Sequence, residues 1–483
     1  MTPSRVLLAL ALLFCHGPPI AAQEPLQLRA GDLVLLGGRL FDGTGEESRA
    51  NPGIAVRNGV FLSVGLDPAT DLAPATVIRL EDDRTILPGL FDLHAHYAVD
   101  LFGEGRVDEY LVNPVVFLAN GVTSTFPAGE VDPEGMAGAR REIDAGRRPG
   151  PRIYSSGPYY GTARPGWSHE RVTLDSLRVE VDHWAARGAR GFKAKGIRPE
   201  HLEALIDQAH RHGLPVTAHL DSGFRESVNP ADAILMGIDR IEHFLGGEAI
   251  SRDAPAYTSL EALDLSDPWT LGAVKDVVAL YLRHRVYFDA TLTAYGYFAP
   301  AVDPGVYGKW TEEMDLLTPY ARGVVEARLP REPSEQFAKI YRVKGTTLKA
   351  FVDAGAGDLL TLGTDHPSWG EFFSGFGVHR ELQAWVDAGV PAALALRAAT
   401  VNGATALGVV DRLGTIEAGK YADLVVVEGD PLIDIRVTRR VRMVLKAGRS
   451  YDPAELLASV RGKFGPVDET QSGWWKGSVR FGG

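Results

Sequence analysis

Between residues 88 and 408, short apolar runs alternate with longer amphipathic ones. The short runs are "ILPGLFDLHAH", "GVTSTFPAG", "PRIYSSGP", "GFKAKG", "LPVTAHL", "DRIEHF", "VYFDATL" and "LLTLGTDH". Their continuous apolar character, with Gly, Pro or charged residues at the borders, is that of strands buried on both faces. The stretches between them include "PEHLEALIDQAHRHG" and "PAALALRAATVNGATALG", with apolar residues at i, i+3 and i+4, and these predict helices. Eight strands alternating with helices predict an α/β fold, a (β/α)8 TIM barrel over residues 88–408.

The ends of the chain have a different pattern. "DLVLLGGRLFDGTG", "GIAVRNGVFLSVG" and "TVIRLEDDRTILPG" are β-rich runs cut by Gly, Asn-Gly and Asp-Asp, and similar material returns in "RLGTIEAGKYADLVVVEGDP" and "VRMVLKAGRSYDP". They predict one small β-sandwich assembled from residues 23–87 and 409–455. Residues 456–483 form a C-terminal tail, expected to pack loosely or dock as an arm. Residues 293–335 are a long departure within the barrel pattern, carrying Tyr295, Tyr297, Phe298, Tyr307 and Trp310. A loop of that length serves as a lid over a site or as a buttress for the barrel.

The first 22 residues stand apart from both patterns. Arg5, the apolar "VLLALALLF" and the small-residue ending "PPIAA" predict a secretory signal peptide, too short to span a bilayer, and hence export to the periplasm or beyond. The only cysteine, Cys15, lies within it, so the mature chain can form neither a disulfide nor a thiolate metal site. Without Arg5 the balance is 49 basic against 62 acidic side chains, a net charge of −13. That excess argues against nucleic acid and anionic membrane surfaces as partners. Self-association into a homo-oligomer stays open.

The chemistry gathers at the ends of the predicted strands. His94 and His96 are two residues apart in a strand and therefore share one face, where two imidazoles can chelate one cation. Lys193 ends the fourth run, His219 the fifth, His243 the sixth and Asp365 the eighth. Barrel active sites are built at that end of the strands, and titratable groups converging on one concavity mark such a site. Tyr97 and Tyr160 at the rim, Asp221 after His219 and His366 after Asp365 are candidate substrate contacts. His183, His201, His210, His212 and His284 fall on helices and are expected to be solvated. His379 is expected to be a packing group.

With "LPGLFDLHAH", "AHL", "IEH", "GTD", "LRAATVNGATALG" and "GTIEAGKYADLVVV", the chain resembles the amidohydrolase superfamily over nearly its whole mature length. The stretch "ARGARGFKAKG" resembles the prolidase-like and imidazolonepropionase-like branch, with two metals and a carboxylated lysine. The resemblance implies His94, His96 and Asp365 on one ion, His219 and His243 on the other, and carboxylated Lys193 bridging. Lys195, two residues on, is the rival bridge. An N/O ligand set suits Zn2+ best, with Mn2+ or Fe2+ as alternatives. A metal-bridging hydroxide would attack an amide carbonyl, with Asp365 moving the proton.

The expected substrate is a small amide or peptide, such as a dipeptide or an N-acyl amino acid. A cyclic amide or lactone is the alternative. Mononuclear deaminases of the superfamily place a glutamate where this chain has Ser222, which disfavours deamination. Prolidase-like relatives often carry a tyrosine where this chain has Asp221, which speaks against a strict prolidase. A non-catalytic binding protein would have lost ligands, and none is lost.

Overall fold

The computed structural model describes residues 26–99, 107–220, 227–243, 245, 262–264, 266–296, 311–327, 334–366 and 374–471. The central elements are parallel strands or strand-like runs. Strand β1 (Leu90–Ala95) pairs in parallel with β2 (Val122–Pro127), which pairs with the short strand Arg152–Ile153. A second parallel sheet has the order β3 (Tyr159–Tyr160), β4 (Phe192–Lys195), β5 (Val216–His219), β6 (Arg240–Glu242) and β7 (Tyr287–Asp289).

Single hydrogen bonds continue both sheets. Glu130 N donates to Gly157 O at 3.1 Å, beside the β2 and β3 ends. The eighth run, 360–365, forms no regular strand, yet Thr361 N donates to Phe288 O and Leu93 N to Leu362 O, each at 3.0 Å. Run 360–365 therefore passes between β7 and β1. Asn402 anchors its start, giving Nδ2 to Gly357 O at 2.9 Å and to Leu360 O at 2.8 Å. Asn402 ends a π-helical turn (Ala398–Asn402) inside the last predicted helix, where the periodicity had suggested an unbroken one.

Helices follow the strands as their periodicity predicts. They include α1 (Leu174–Ala186), α2 (Pro199–Arg211), α3 (Pro268–His284), α4 (Glu335–Asp353) and α5 (Phe376–Asp387). Thr173, Asp267 and Ser334 cap α1, α3 and α4 by accepting the backbone N–H three residues on. Helix α2 starts at Pro199, a residue suited to a first turn that has no use for its N–H. Its apolar face buries Leu202, Leu205, Ile206 and Ala209. Its His201 is also buried, with Nε2 2.8 Å from Val172 O, rather than solvated as expected. No helix among the described residues is long and apolar enough to cross a membrane.

The two ends of the chain share a six-stranded sheet, in which Leu424–Glu428 pairs antiparallel with Arg84–Pro88. A four-stranded sheet comes from residues 33–79 alone. Leu35, Ile54, Val56 and Phe61 from the smaller sheet bury with Ile86, Leu424, Val426 and Leu445 from the larger in one apolar cluster. The start of the tail is docked: Leu456, Val460 and Phe464 join the main core, and Thr318 N donates to Phe464 O at 3.0 Å. Its last residues, 472–483, lie outside the described set, as do residues 1–25 and part of the aromatic stretch, including Tyr297, Phe298, Tyr307 and Trp310.

Candidate metal centre

Strand register brings the predicted ligands Lys193 and His219 onto one face. Partners in a parallel ladder point the same way, and the register pairs Lys193 with Thr217, Lys195 with His219, His219 with Glu242 and Glu242 with Asp289. All six side chains, and Arg240, therefore share a side, with Lys195, His219, Glu242 and Asp289 at the C-terminal strand ends. His94 faces the same concavity from β1, with Nδ1 3.5 Å from both Glu242 Oε2 and Asp289 Oδ2.

Alternation would have turned His243 away, because Glu242 already faces inward. The backbone resolves this by entering the left-handed region at His243, with φ 66°. Its amide donates to Asp289 O at 2.8 Å, and Lys344 of α4 gives Nζ to the His243 carbonyl at 2.6 Å. Asp365 does the same at φ 57°, with its amide on His94 O at 2.9 Å. Two non-glycine residues in this sparsely populated region store strain of the kind found at functional sites. Just before Asp365, Gly363 admits no side chain, since a Cβ there would sit 2.1 Å from Asp289 Oδ2 and 2.4 Å from His94 Cβ.

The donors converge. Asp365 Oδ1 lies 2.7 Å from His96 Nε2 and 3.2 Å from His94 Nε2. The His243 ring lies 4.7 Å from that of His94 and 4.2 Å from that of His219. Lys193 is fully buried, with Nζ against Glu242 Oε2; Lys195 is only partly buried.

Burial holds the His94 and His243 imidazoles well below the ordinary histidine pKa, so both are neutral, the form that ligates a cation. Burial alone would raise the Asp365 carboxyl, but the histidines facing it hold it well below the ordinary carboxylate range. Burial, with Lys195 beside it, likewise pushes the Lys193 amine down. Neutral imidazoles, an ionised carboxylate and no thiolate make a donor set that fits divalent N/O coordination.

Two predicted substrate contacts are corrected. Tyr97 follows His96 and so points to the opposite side; it is buried against Phe117, with its hydroxyl 3.0 Å from Thr125 Oγ1. Tyr160 pairs with Ala194 and turns outward onto Phe192 and Trp167, while Tyr159, paired with Lys193, takes the inward side. A one-residue error of parity moves a side chain from one face to the other. The buried Tyr160 hydroxyl has no hydrogen-bond partner among the described residues. Tyr160→Phe is therefore expected to retain turnover and full stability by chemical denaturation, since it removes an unsatisfied polar atom.

His366 is buried beside Asp365, with Nε2 2.9 Å from Thr293 Oγ1 and its pKa pushed down to about 3 by burial. It faces a Thr293–Glu381 network rather than open space. His379 is buried as expected of a packing group. Asp221 lies outside the described residues.

Glu242 and Asp289 were missed by sequence reasoning. Glu242 stands next to His243 in "IEH", and only one of two consecutive strand residues ordinarily faces a site. Asp289 ends the run "VYFDATL" as the other ligand-type residues end theirs, so the same positional argument would have found it.

Among solved structures the chain is similar to a Xaa-Pro dipeptidase with methionine bound in its active site. That pair shares 20% identity and a TM-score of 0.63, covering 87% of this chain and 100% of the other. A molinate hydrolase shares 21% identity at a TM-score of 0.67, over 92% of this chain and 99% of the other. The ochratoxinase of A. niger shares 20% at 0.60, over 90% and 100%. No curated protein sequence matches the chain. The model of the amidohydrolase family matches residues 85–451, and with that match the chain belongs to the amidohydrolase family.

Proposed function

We propose that this protein is an exported two-metal hydrolase that cleaves a carbon–nitrogen amide bond in a dipeptide or an N-acyl amino acid. The observation that carries the reading is the convergence of His94, His96, His219, His243, Lys193 and Asp365 at one end of the parallel strands. His94, His96 and Asp365 would hold one ion, and His219 and His243 the other. Zinc suits the set best, with manganese or iron as alternatives.

Lys193 would bridge as a carboxylated side chain. Its neutral amine adds to CO2, a nitrogen–carbon bond forms, and one amine proton leaves to solvent. The two oxygens so gained turn a repelling cation into an anionic bridge. Bound divalent ions supply polarisation of the scissile carbonyl and a water acidic enough to act as nucleophile near neutral pH. Asp365 takes the proton of the attacking water and passes it to the departing nitrogen.

The scaffold in this reading is a closed (β/α)8 barrel over 88–408, supported by the bonds on both sides of run 360–365. A β-sandwich of 23–87 and 409–455 is supported by the apolar cluster between the two outer sheets. Residues 1–22 are a cleaved leader, and 456–483 a tail.

The test is a screen of the mature protein, supplied with zinc or manganese, against dipeptides, N-acyl amino acids, cyclic amides, lactones and aminated heterocycles. Amine release from the first two classes, abolished by a chelator, is expected. Inert amides beside efficient lactone turnover, or ammonia release from a ring, would overturn the assignment.

A further inference from the structure

Beneath the histidines lies a buried polar layer that the reaction above does not use. Glu242 Oε1 accepts from Thr217 Oγ1 at 2.9 Å and faces Arg240 Nη2 at 3.6 Å. Its other oxygen, Oε2, lies against Lys193 Nζ and 3.5 Å from His94 Nδ1. Asp289 Oδ2 is 3.5 Å from the same His94 nitrogen and 3.6 Å from Arg240 Nη1. All these side chains are buried. His94 Nδ1, Lys193 Nζ, Glu242 Oε2 and both Asp289 oxygens make no other hydrogen bond with described residues.

Two donors thus face one carboxylate oxygen whose partner oxygen is already anchored. A neutral imidazole carries a single N–H. An acceptor beside Nδ1 places that hydrogen there and leaves the Nε2 lone pair free, and it is Nε2 of His94 that turns toward Asp365 and His96. Carboxylated Lys193 keeps one N–H on Nζ. Because the carbamate is planar, fixing that N–H fixes the direction of both new oxygens.

We infer that Glu242 is a positioning residue for the metal centre: its Oε2 accepts from Nδ1 of His94 and Nζ of Lys193, setting the histidine tautomer and aiming the lysine carboxylate. Asp289 assists at His94. The inference rests on the carboxylated-lysine reading for its lysine half only. A plain counter-ion to Arg240 or Lys193 would contribute to folding and leave the ligands' aim unchanged.

The experiment compares mature wild-type protein with Glu242→Gln, both supplied with zinc and 13C-labelled bicarbonate. It reads zinc affinity by competition with a chelator, the carbamate signal by 13C NMR, and thermal unfolding of the metal-free forms. Glu242→Gln is expected to lose the carbamate signal and bind zinc about 10- to 100-fold more weakly, the usual effect of removing such a partner. Its metal-free unfolding temperature should stay close to wild type. Wild-type carbamate and wild-type zinc affinity in the variant would overturn the inference, as would losses that merely follow a collapse in stability.

If wild-type protein itself shows no carbamate, the bridging-lysine reading fails. Glu242 is then judged through His94, with weakened zinc binding upholding its role and unchanged binding refuting it. Should Glu242→Gln not fold, Glu242→Asp keeps the charge but withdraws it by one methylene. Weaker zinc binding in that variant upholds the inference, and unchanged binding refutes it.

Discussion

Asp365→Asn is expected to lower kcat by at least about 100-fold, the lower end of what positioned proton transfer contributes. The substitution keeps the side chain's shape and one weak oxygen ligand, so a folded protein should result. It removes the ability to take a proton and give it back. Asp365 is suited to that work: its Oδ1 sits 2.7 Å from His96 Nε2 at the mouth of the strands, and its neighbours keep it ionised. The adjacent His366 is poorly placed to substitute, because its Nε2 faces Thr293 and burial keeps it neutral. Steady-state kinetics on the best substrate of the screen gives the answer. Near-normal turnover would show that another group carries the proton.

Lys193→Ala should be as damaging for a different reason. It removes the bridge, and with it at least one of the two ions and most activity, while Lys195→Ala should lose far less. Both lysines face the same side, so parity cannot separate them. Burial does: Lys193 is enclosed with Nζ against Glu242, and Lys195 is partly open to solvent. Metal content and kcat of the two variants, measured side by side, decide the matter. A reversed ranking would make Lys195 the bridge.

Much of the site could be read from strand ends alone. A ligand-type residue closing an apolar run points into the concavity whenever the alternation is regular, and this held for His94, His96, Lys193 and His219. The rest depended on backbone that no pattern of apolar residues encodes. His243 and Asp365 reach the site through left-handed turns, which let Glu242 and His243 face inward together. Tyr97 and Tyr160 were misplaced because a rim tyrosine was judged by proximity in sequence, whereas the face it occupies follows from its register. The eighth run was legible as "LLTLGTDH", although it pairs through single hydrogen bonds and not as a regular strand. Asp289 shows the opposite case, since its position obeyed the rule that found the others.

The two-metal mechanism requires that these converging side chains hold two cations. Metal analysis of the purified protein, saturated with zinc and freed of excess, tests it most directly. About two ions per chain are expected, as a two-metal hydrolase requires. A firm stoichiometry of one ion per chain in fully active protein would contradict it.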